Sequence, residues 1–293
     1  MKTYCIFICC LSIALFPAPR SFAQDDFTSY HIDARLVEVY ATVVDQRGHF
    51  VDGLPADAFR VLENGKQQRL KHFESQSQAM HCALLLDTTG SMTIALPRLK
   101  NSVIDFIDEL GPEDYVAIYT FTEQLVVQQD FTQDKDAAKR AVLRLRPGGR
   151  TALFNALSEA AQAMRDQPGK KAMVVFTDGD DNASVLNSEA AVNRARVDGV
   201  PLFTVAEGDA LDCAELKKVL GNLSTSTGGA AFEVDDQKSM DAIFQRISNQ
   251  LRHMYLLAYT PTIEPGEKDW RRIDVQVNSV QDARIRAKSG YFP

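Results

Sequence analysis

The sequence predicts an α/β protein: a doubly wound, mostly parallel sheet with helices on both faces, joined to a β-sandwich-like module built from the N- and C-terminal segments. Three observations predict it. After Cys82, short apolar runs alternate with amphipathic helical stretches, the order that gives parallel strands and right-handed crossovers. Two of those runs, ending at Asp87 and at Thr177-Asp178, are nearly continuous apolar stretches, as strands covered on both faces are. The chain before residue 79 and after residue 254 instead has β character, alternating apolar and polar residues between turn signals.

The chain has 293 residues, 45% hydrophobic and 24% charged, the balance of an ordered globular protein. Lys2, the apolar run from Ile6 to Phe16 and the small residues of Ser21-Phe22-Ala23 predict a secretory signal peptide over residues 1–23, cut after Ala23. The apolar run is short for a membrane span, so no membrane insertion is expected once it is cut. Periplasmic or secreted localisation follows. Cleavage would remove Lys2 and Arg20 and no acid, taking the formal charge from −7 to −9. An acidic exported domain without basic runs is a poor partner for nucleic acid or anionic membranes. Of five cysteines, Cys5, Cys9 and Cys10 leave with the leader. Cys82 starts one predicted strand and Cys213 follows the end of another. At about 3.3 Å per residue they would sit roughly 15 Å apart or more, so two free thiols are expected.

Residues 24–78 read as an N-terminal β module. Val37, Val39, Ala41 and Val43 share one face of an extended run, Asp45-Gln46-Arg47-Gly48 is a turn, and Phe50-Val51 resumes the extension. Phe59 to Leu62 leads through Asn64-Gly65, a strong hairpin signal, to Gln67 and Leu70. Residues 79–254 carry the strand–helix alternation. The strand 82–87 precedes a helix with Leu96, Leu99, Val103, Phe106, Ile107 and Leu110 on one face, ended by Gly111-Pro112. Strands are expected over 115–121 and 125–131, and helices over 134–146 and 151–167 around the loop Pro147-Gly148-Gly149. A second buried strand spans 171–176. Helices over 188–197, 214–223 and 239–252 then alternate with strands over 201–205 and 231–234. Residues 255–293 return to β character at 255–259, 272–277 and 283–288. Too few strands remain there for a separate core, so they are predicted to join the N-terminal strands, with Phe59 or Val61 meeting Ile273 or Val275.

Three loops fall at one edge of the predicted sheet. Asp87 ends the first buried strand, with hydroxyls at Thr89 and Ser91. Gly148-Gly149-Arg150-Thr151 places a hydroxyl just before a helix. Asp178 ends the second buried strand. Open parallel sheets place ligands at the carboxyl ends of their strands. Carboxylates and hydroxyls converging there make a hard, all-oxygen corner suited to a divalent cation.

The order Asp-x-Thr-x-Ser, then Gly-Gly-x-Thr, then Thr-Asp-Gly resembles the von Willebrand factor A (VWA) domain, a Rossmann-like fold, and its metal-ion-dependent adhesion site. That family's usual first motif is Asp-x-Ser-x-Ser; Thr89 replaces the first serine and keeps the hydroxyl. Val43-Val44-Asp45, Gly53-Leu54, Asp57-Ala58-Phe59, Glu63-Asn64-Gly65-Lys66, Thr151 to Leu157, Asp178 to Ser184 and the closing Arg284-Ile285-Arg286 to Gly290-Tyr291 are similar to exported bacterial VWFA-related proteins. The resemblance implies metal ligands at Asp87, Thr89, Ser91, Thr151 and Asp178, direct or through water. It implies Mg²⁺ first, with Mn²⁺ or Ca²⁺ as alternatives. It further implies a protein partner offering a Glu or Asp carboxylate to the metal, and no catalysis.

Two alternatives stand beside this reading. One is a Mg²⁺-dependent phosphohydrolase using Asp87 as nucleophile, as in haloacid-dehalogenase phosphatases; Thr89 stands where those carry a second aspartate. The other is a structural scaffold with an unfilled site. Asp180 and Asp181 are read as solvated surface acids, and Asn155 as a helix residue near the site. His31, His49, His72, His81 and His253 lack zinc-ligand spacing. Trp270-Arg271-Arg272 reads as a hairpin anchor, with an exposed recognition patch as the rarer case.

Overall fold

The computed structural model describes residues 36–75, 79–178, 181–207, 213–234, 237–262 and 268–293. The leader with its predicted cut lies outside them, as do His31, Gly179 and Asp180. Alternation decides the first strand: β1 (Val37–Val44) turns Val37, Val39, Ala41 and Val43 into one core and Tyr40 into another. β2 (Phe59–Glu63) and β3 (Lys66–Gln68) form the hairpin announced by Asn64-Gly65. Both turn residues have positive φ, 50° and 78°, as a two-residue turn matched to strand twist requires. β4 (Leu70–Glu74) follows.

The alternating section then runs β5 (Met80–Asp87), α1 (Leu96–Glu109), β6 (Tyr115–Phe121), β7 (Leu125–Thr132), α2 (Lys135–Arg144), α3 (Leu153–Met164) and β8 (Lys170–Thr177). It continues with α4 (Ser188–Val197), β9 (Leu202–Glu207), α5 (Ala214–Thr227), β10 (Ala231–Val234) and α6 (Gln237–Arg252). The last strands are β11 (Met254–Tyr259), β12 (Arg271–Val277), β13 (Arg284–Ala287) and β14 (Gly290–Tyr291). The central sheet has the order β10-β9-β8-β5-β6-β7, parallel except for β7 against β6. Every residue of β5 and of β8 is buried, because helices cover both faces. Leu84 and Leu86 pack into the core shared with Leu99, Phe106, Phe244 and Ile247. Ala83 and Leu85 face the opposite core with Leu157, Ala160 and Leu220. Cys82 is buried, Cys213 half-buried, and neither forms a disulfide.

The two ends of the chain meet in a pair of antiparallel sheets, β13-β1-β11-β4 and β14-β12-β2-β3. Val61 lies opposite Val275 and Phe59 opposite Val277, and Val39, Val61, Leu257 and Ile273 share the core between the sheets. A buried ionic cluster ties those sheets together. Glu63 on β2 pairs with Arg271 on β12 at 2.7 Å, and it accepts hydrogen bonds from Tyr259 Oη at 2.5 Å and Tyr291 Oη at 3.2 Å. Tyr259 belongs to the facing sheet. Arg271 is 2% exposed, which corrects the exposed-patch reading of Trp270-Arg271-Arg272. Trp270 instead packs edge-on to Phe292 with Arg196 over its ring, the anchoring role.

Some helix bounds differ from the predicted ones for local reasons. α3 begins at Leu153 rather than residue 151, because the Ala152 amide donates to the Thr122 carbonyl and the Thr151 amide to Asn182 Oδ1. α2 begins at Lys135, with Asp134 outside it as a cap accepting from the Ala137 amide. α5 runs to Thr227, past the predicted end at Leu223, because its terminal hydroxyls serve the neighbouring strand: the Thr204 amide donates to Ser224 Oγ and the Leu202 amide to Thr227 Oγ1.

Removing Arg271 would strand the Glu63 carboxylate in the interior, a loss of about 3 kcal/mol or more. Arg271→Ala is therefore expected to lower unfolding stability by about that amount in a urea titration; a change below about 0.5 kcal/mol would mean that the pair does not hold the sheets together.

Candidate functional site

β5 and β8 are neighbours in parallel register, Leu86 opposite Phe176, so Asp87 and Thr177-Asp178 arrive side by side at one sheet edge. Asp87 is fully buried. Its Oδ1 accepts from the Thr89 amide at 2.9 Å and its Oδ2 from Thr177 Oγ1 at 2.8 Å. Both donors are neutral. Burial therefore dominates, and the Asp87 carboxyl is pushed up to about 6 although the hydrogen bonds from Thr89 and Thr177 oppose the shift.

Three of the remaining predicted residues are linked to one another beside it. Thr89 Oγ1 lies 3.1 Å from Ser91 Oγ, and Ser91 Oγ donates to Asp178 Oδ1 at 2.8 Å. Thr89, Thr151 and Asp178 are all buried. Thr151 belongs to the loop that locks onto the first one: the Gly148 amide donates to the Thr88 carbonyl at 2.8 Å, and the Gly90 amide to the Gly149 carbonyl at 3.2 Å. The third loop closes on the second, with the Asn182 and Ala183 amides donating to the Thr151 carbonyl. Backbone hydrogen bonds thus join the three loops, and a side-chain chain links Thr89, Ser91 and Asp178.

Several residues that frame this corner carried no assigned role in the sequence reading. Thr177 holds Asp87; it opens the Thr-Asp-Gly motif, a hydroxyl at the end of a buried strand. Glu123, in the turn between β6 and β7, accepts from the Arg150 amide at 2.9 Å. Gly149 has φ +86°, and a Cβ there would lie 2.7 Å from Glu123 Oε2 and 2.8 Å from Thr122 Cβ, so only glycine fits. Asp181 corrects the expectation of a merely solvated acid. It accepts from the Phe154 amide at 2.9 Å and the Ser184 amide at 2.9 Å, fastening the third loop to the start of α3. Asn155, on α3, accepts from the Val185 and Leu186 amides and braces the same loop. β9 also runs beyond the predicted 205 to Glu207, whose buried carboxylate is paired with Arg98 on α1. That acid is already neutralised.

Whether this corner suits a cation depends on its donor set. Among the described residues no group of three or more His, Cys, Asp or Glu is placed to hold a metal. Asp87, Asp178, Thr89 and Ser91 instead offer two carboxylates and two hydroxyls, oxygen donors throughout. A buried carboxylate held only by neutral donors is the environment that a hard divalent ion would relieve. The residues fit such an ion.

A family model described as the von Willebrand factor type A domain matches residues 82–246. No curated protein matches the sequence. Several solved structures share its fold. BatB from Bacteroides thetaiotaomicron, a conserved hypothetical protein, is 21% identical with a TM-score of 0.50, covering 59% of this chain and 98% of that one. The vWF domain of the type V pili tip protein Mfa5 from Porphyromonas gingivalis is 13% identical with a TM-score of 0.50, covering 59% and 96%. A von Willebrand factor type A protein from Catenulispora acidiphila is 14% identical with a TM-score of 0.53, covering 89% and 74%.

Gly149→Ala is expected to lower stability by about 1–3 kcal/mol, since the added methyl meets both a left-handed backbone and the Thr122–Glu123 turn. Equal denaturation midpoints for variant and wild type would show that the second loop is not held as described.

Proposed function

The chain belongs to the von Willebrand factor type A domain family, and from that premise we propose that it is an exported, non-catalytic module that binds a protein partner through a divalent cation held at the Asp87 corner. The observation that carries this reading is the buried Asp87 carboxylate, met among the described residues by neutral donors, beside the linked oxygens of Thr89, Ser91 and Asp178. Asp87, Thr89, Ser91, Thr151 and Asp178 would hold the ion, directly or through water. Mg²⁺ matches the hard oxygen set, with Mn²⁺ or Ca²⁺ as alternatives. Hydroxyl ligands leave a divalent ion less neutralised than a cage of carboxylates would. When bound, the cation supplies net positive charge to attract a Glu or Asp carboxylate of the partner.

The surroundings support a protein partner. Ile94, three residues beyond Ser91, is 92% exposed, and Val185, in the loop after Asp178, is 93% exposed. Branched aliphatic side chains standing in water beside a charged corner suit an apolar contact around an acidic anchor. A pilus tip protein among the structures of this fold is consistent with adhesion or assembly. The leader-like residues 1–23 support export, to the periplasm or beyond. No helix among the described residues is long and apolar enough to cross a membrane.

The reading is tested by capture from a cell-envelope extract on immobilised protein. The expected result is a specific partner retained in Mg²⁺, released by chelator and absent with Asp87→Ala. Retention unaffected by chelator and by Asp87→Ala would overturn metal-dependent binding.

A further inference from the structure

A second site lies away from the Asp87 corner, where β10 begins, α6 ends and β13 passes. β10 runs parallel to β9, so its first residues mark the sheet edge opposite the strand ends that carry Asp87. A cavity of about 510 Å³ opens there, lined by Arg246, Arg284 and Arg286 together with Thr42, Gln250 and Phe232. Among the described residues its lining contains no Asp or Glu, although the chain as a whole is acidic at −7. Among the described residues none of the three arginines forms an ion pair. Burial and the like charge of Arg246 hold the Arg286 guanidinium below its ordinary value.

The neutral groups point the same way. Gln250 is 5% exposed and Thr42 3% exposed, yet Gln250 Nε2 and Thr42 Oγ1 have no hydrogen-bond partner among the described residues. Buried donors left unmet are rare and destabilising. Here both border the same cavity as the three guanidiniums. Arg246 also lies over the Phe232 ring, 5.1 Å from its centroid, which fixes its planar head at the wall. Convergent guanidinium forks with neutral N–H and O–H donors match the several oxygens of a phosphate group. The volume exceeds what one inorganic phosphate fills and lies in the range of small-molecule sites.

We propose that this cavity binds a phosphate ester, with Arg246, Arg284 and Arg286 on the phosphate oxygens and Gln250 and Thr42 completing the cradle. The ester's organic part lies along Phe232 and Ile285. The same chemistry is carried by a soluble sugar or glycerol phosphate and by an anionic phospholipid headgroup. The site is independent of the cation corner and of its partner.

Titration calorimetry with glycerol 3-phosphate, and sedimentation with phosphatidylglycerol vesicles against phosphatidylcholine vesicles, test it on the full chain. The expected result is saturable binding of one phosphate ester per chain, or binding selective for phosphatidylglycerol, in either case weakened at least tenfold in Arg284→Ala/Arg286→Ala, as loss of two charge-assisted contacts implies by about that factor or more. Response to the soluble ester assigns a small-molecule ligand, and response to vesicles alone assigns a headgroup. Both arginines lie on an edge strand, so the fold should tolerate their removal. Gln250→Met keeps the charge and replaces the side-chain amide, the unmet donor with it, by a group of similar length. It should weaken binding roughly threefold without lowering the melting temperature, the opposite of what a structural glutamine would do. No saturable binding to either probe, or equal binding by wild type and the double variant, would overturn the proposal.

Discussion

The structure turns on a carboxylate placed where water cannot reach it. Asp87 ends a strand that is buried at every position, and among the described residues its oxygens meet the amide and hydroxyl of Thr89 and the hydroxyl of Thr177, all neutral. An isolated anion in such a place is costly unless hydrogen bonds and an opposite charge compensate it. The loops around it are built to supply the first of these. Thr177 reaches across from the neighbouring strand, Gly149 permits the second loop to approach closely, and Asp181 and Asn155 hold the third against α3. Glu207, the other buried acid ending a strand of this sheet, is handled differently: Arg98 neutralises it. The contrast leaves Asp87, among the described residues, as the buried strand-end acid with no ion-pair partner, the feature on which the proposed cation site rests.

The remainder of the fold keeps that edge rigid. The helices on both faces of the central sheet fix the register of β5 against β8, and that register brings Asp87 beside Thr177-Asp178. The antiparallel sheets made from the two chain ends enter through β11, which follows α6 directly and pairs with β1. Their own cohesion rests on an apolar core crossed by the Glu63–Arg271 pair and its two tyrosines. One edge of the central sheet therefore carries the oxygen-rich loops. The opposite edge carries an arginine-lined cavity whose walls come from α6, β10 and the strands β1 and β13.

Much of this was legible in the residues, and the exceptions have physical causes. Period-two alternation placed Val37, Val39, Ala41 and Val43 on one face, and Asn64-Gly65 announced its hairpin, because both signals are local. The joining of chain ends was expected from a shortage of strands, and Val61 opposite Val275 bears it out. Gathering Asp87, Thr89, Ser91 and Asp178 needed only the rule that parallel strands end at a common edge. The buried Glu63–Arg271 pair was not legible, since residues 208 apart in sequence find each other only through tertiary packing. The end of α5 was misplaced because Ser224 to Thr227 look like helix breakers until their hydroxyls meet the β9 backbone. Asp181 was underrated for the same reason: its acceptors serve amides on another element.

The most direct test of the account is equilibrium dialysis of the purified protein against Mn²⁺, counted by electron paramagnetic resonance, in wild type and Asp87→Asn. The substitution removes the charge and keeps the shape. The account predicts one tightly bound Mn²⁺ per wild-type chain, displaced by Mg²⁺, and none in Asp87→Asn. Equal binding by the two proteins, or no stoichiometric binding by wild type, would contradict it.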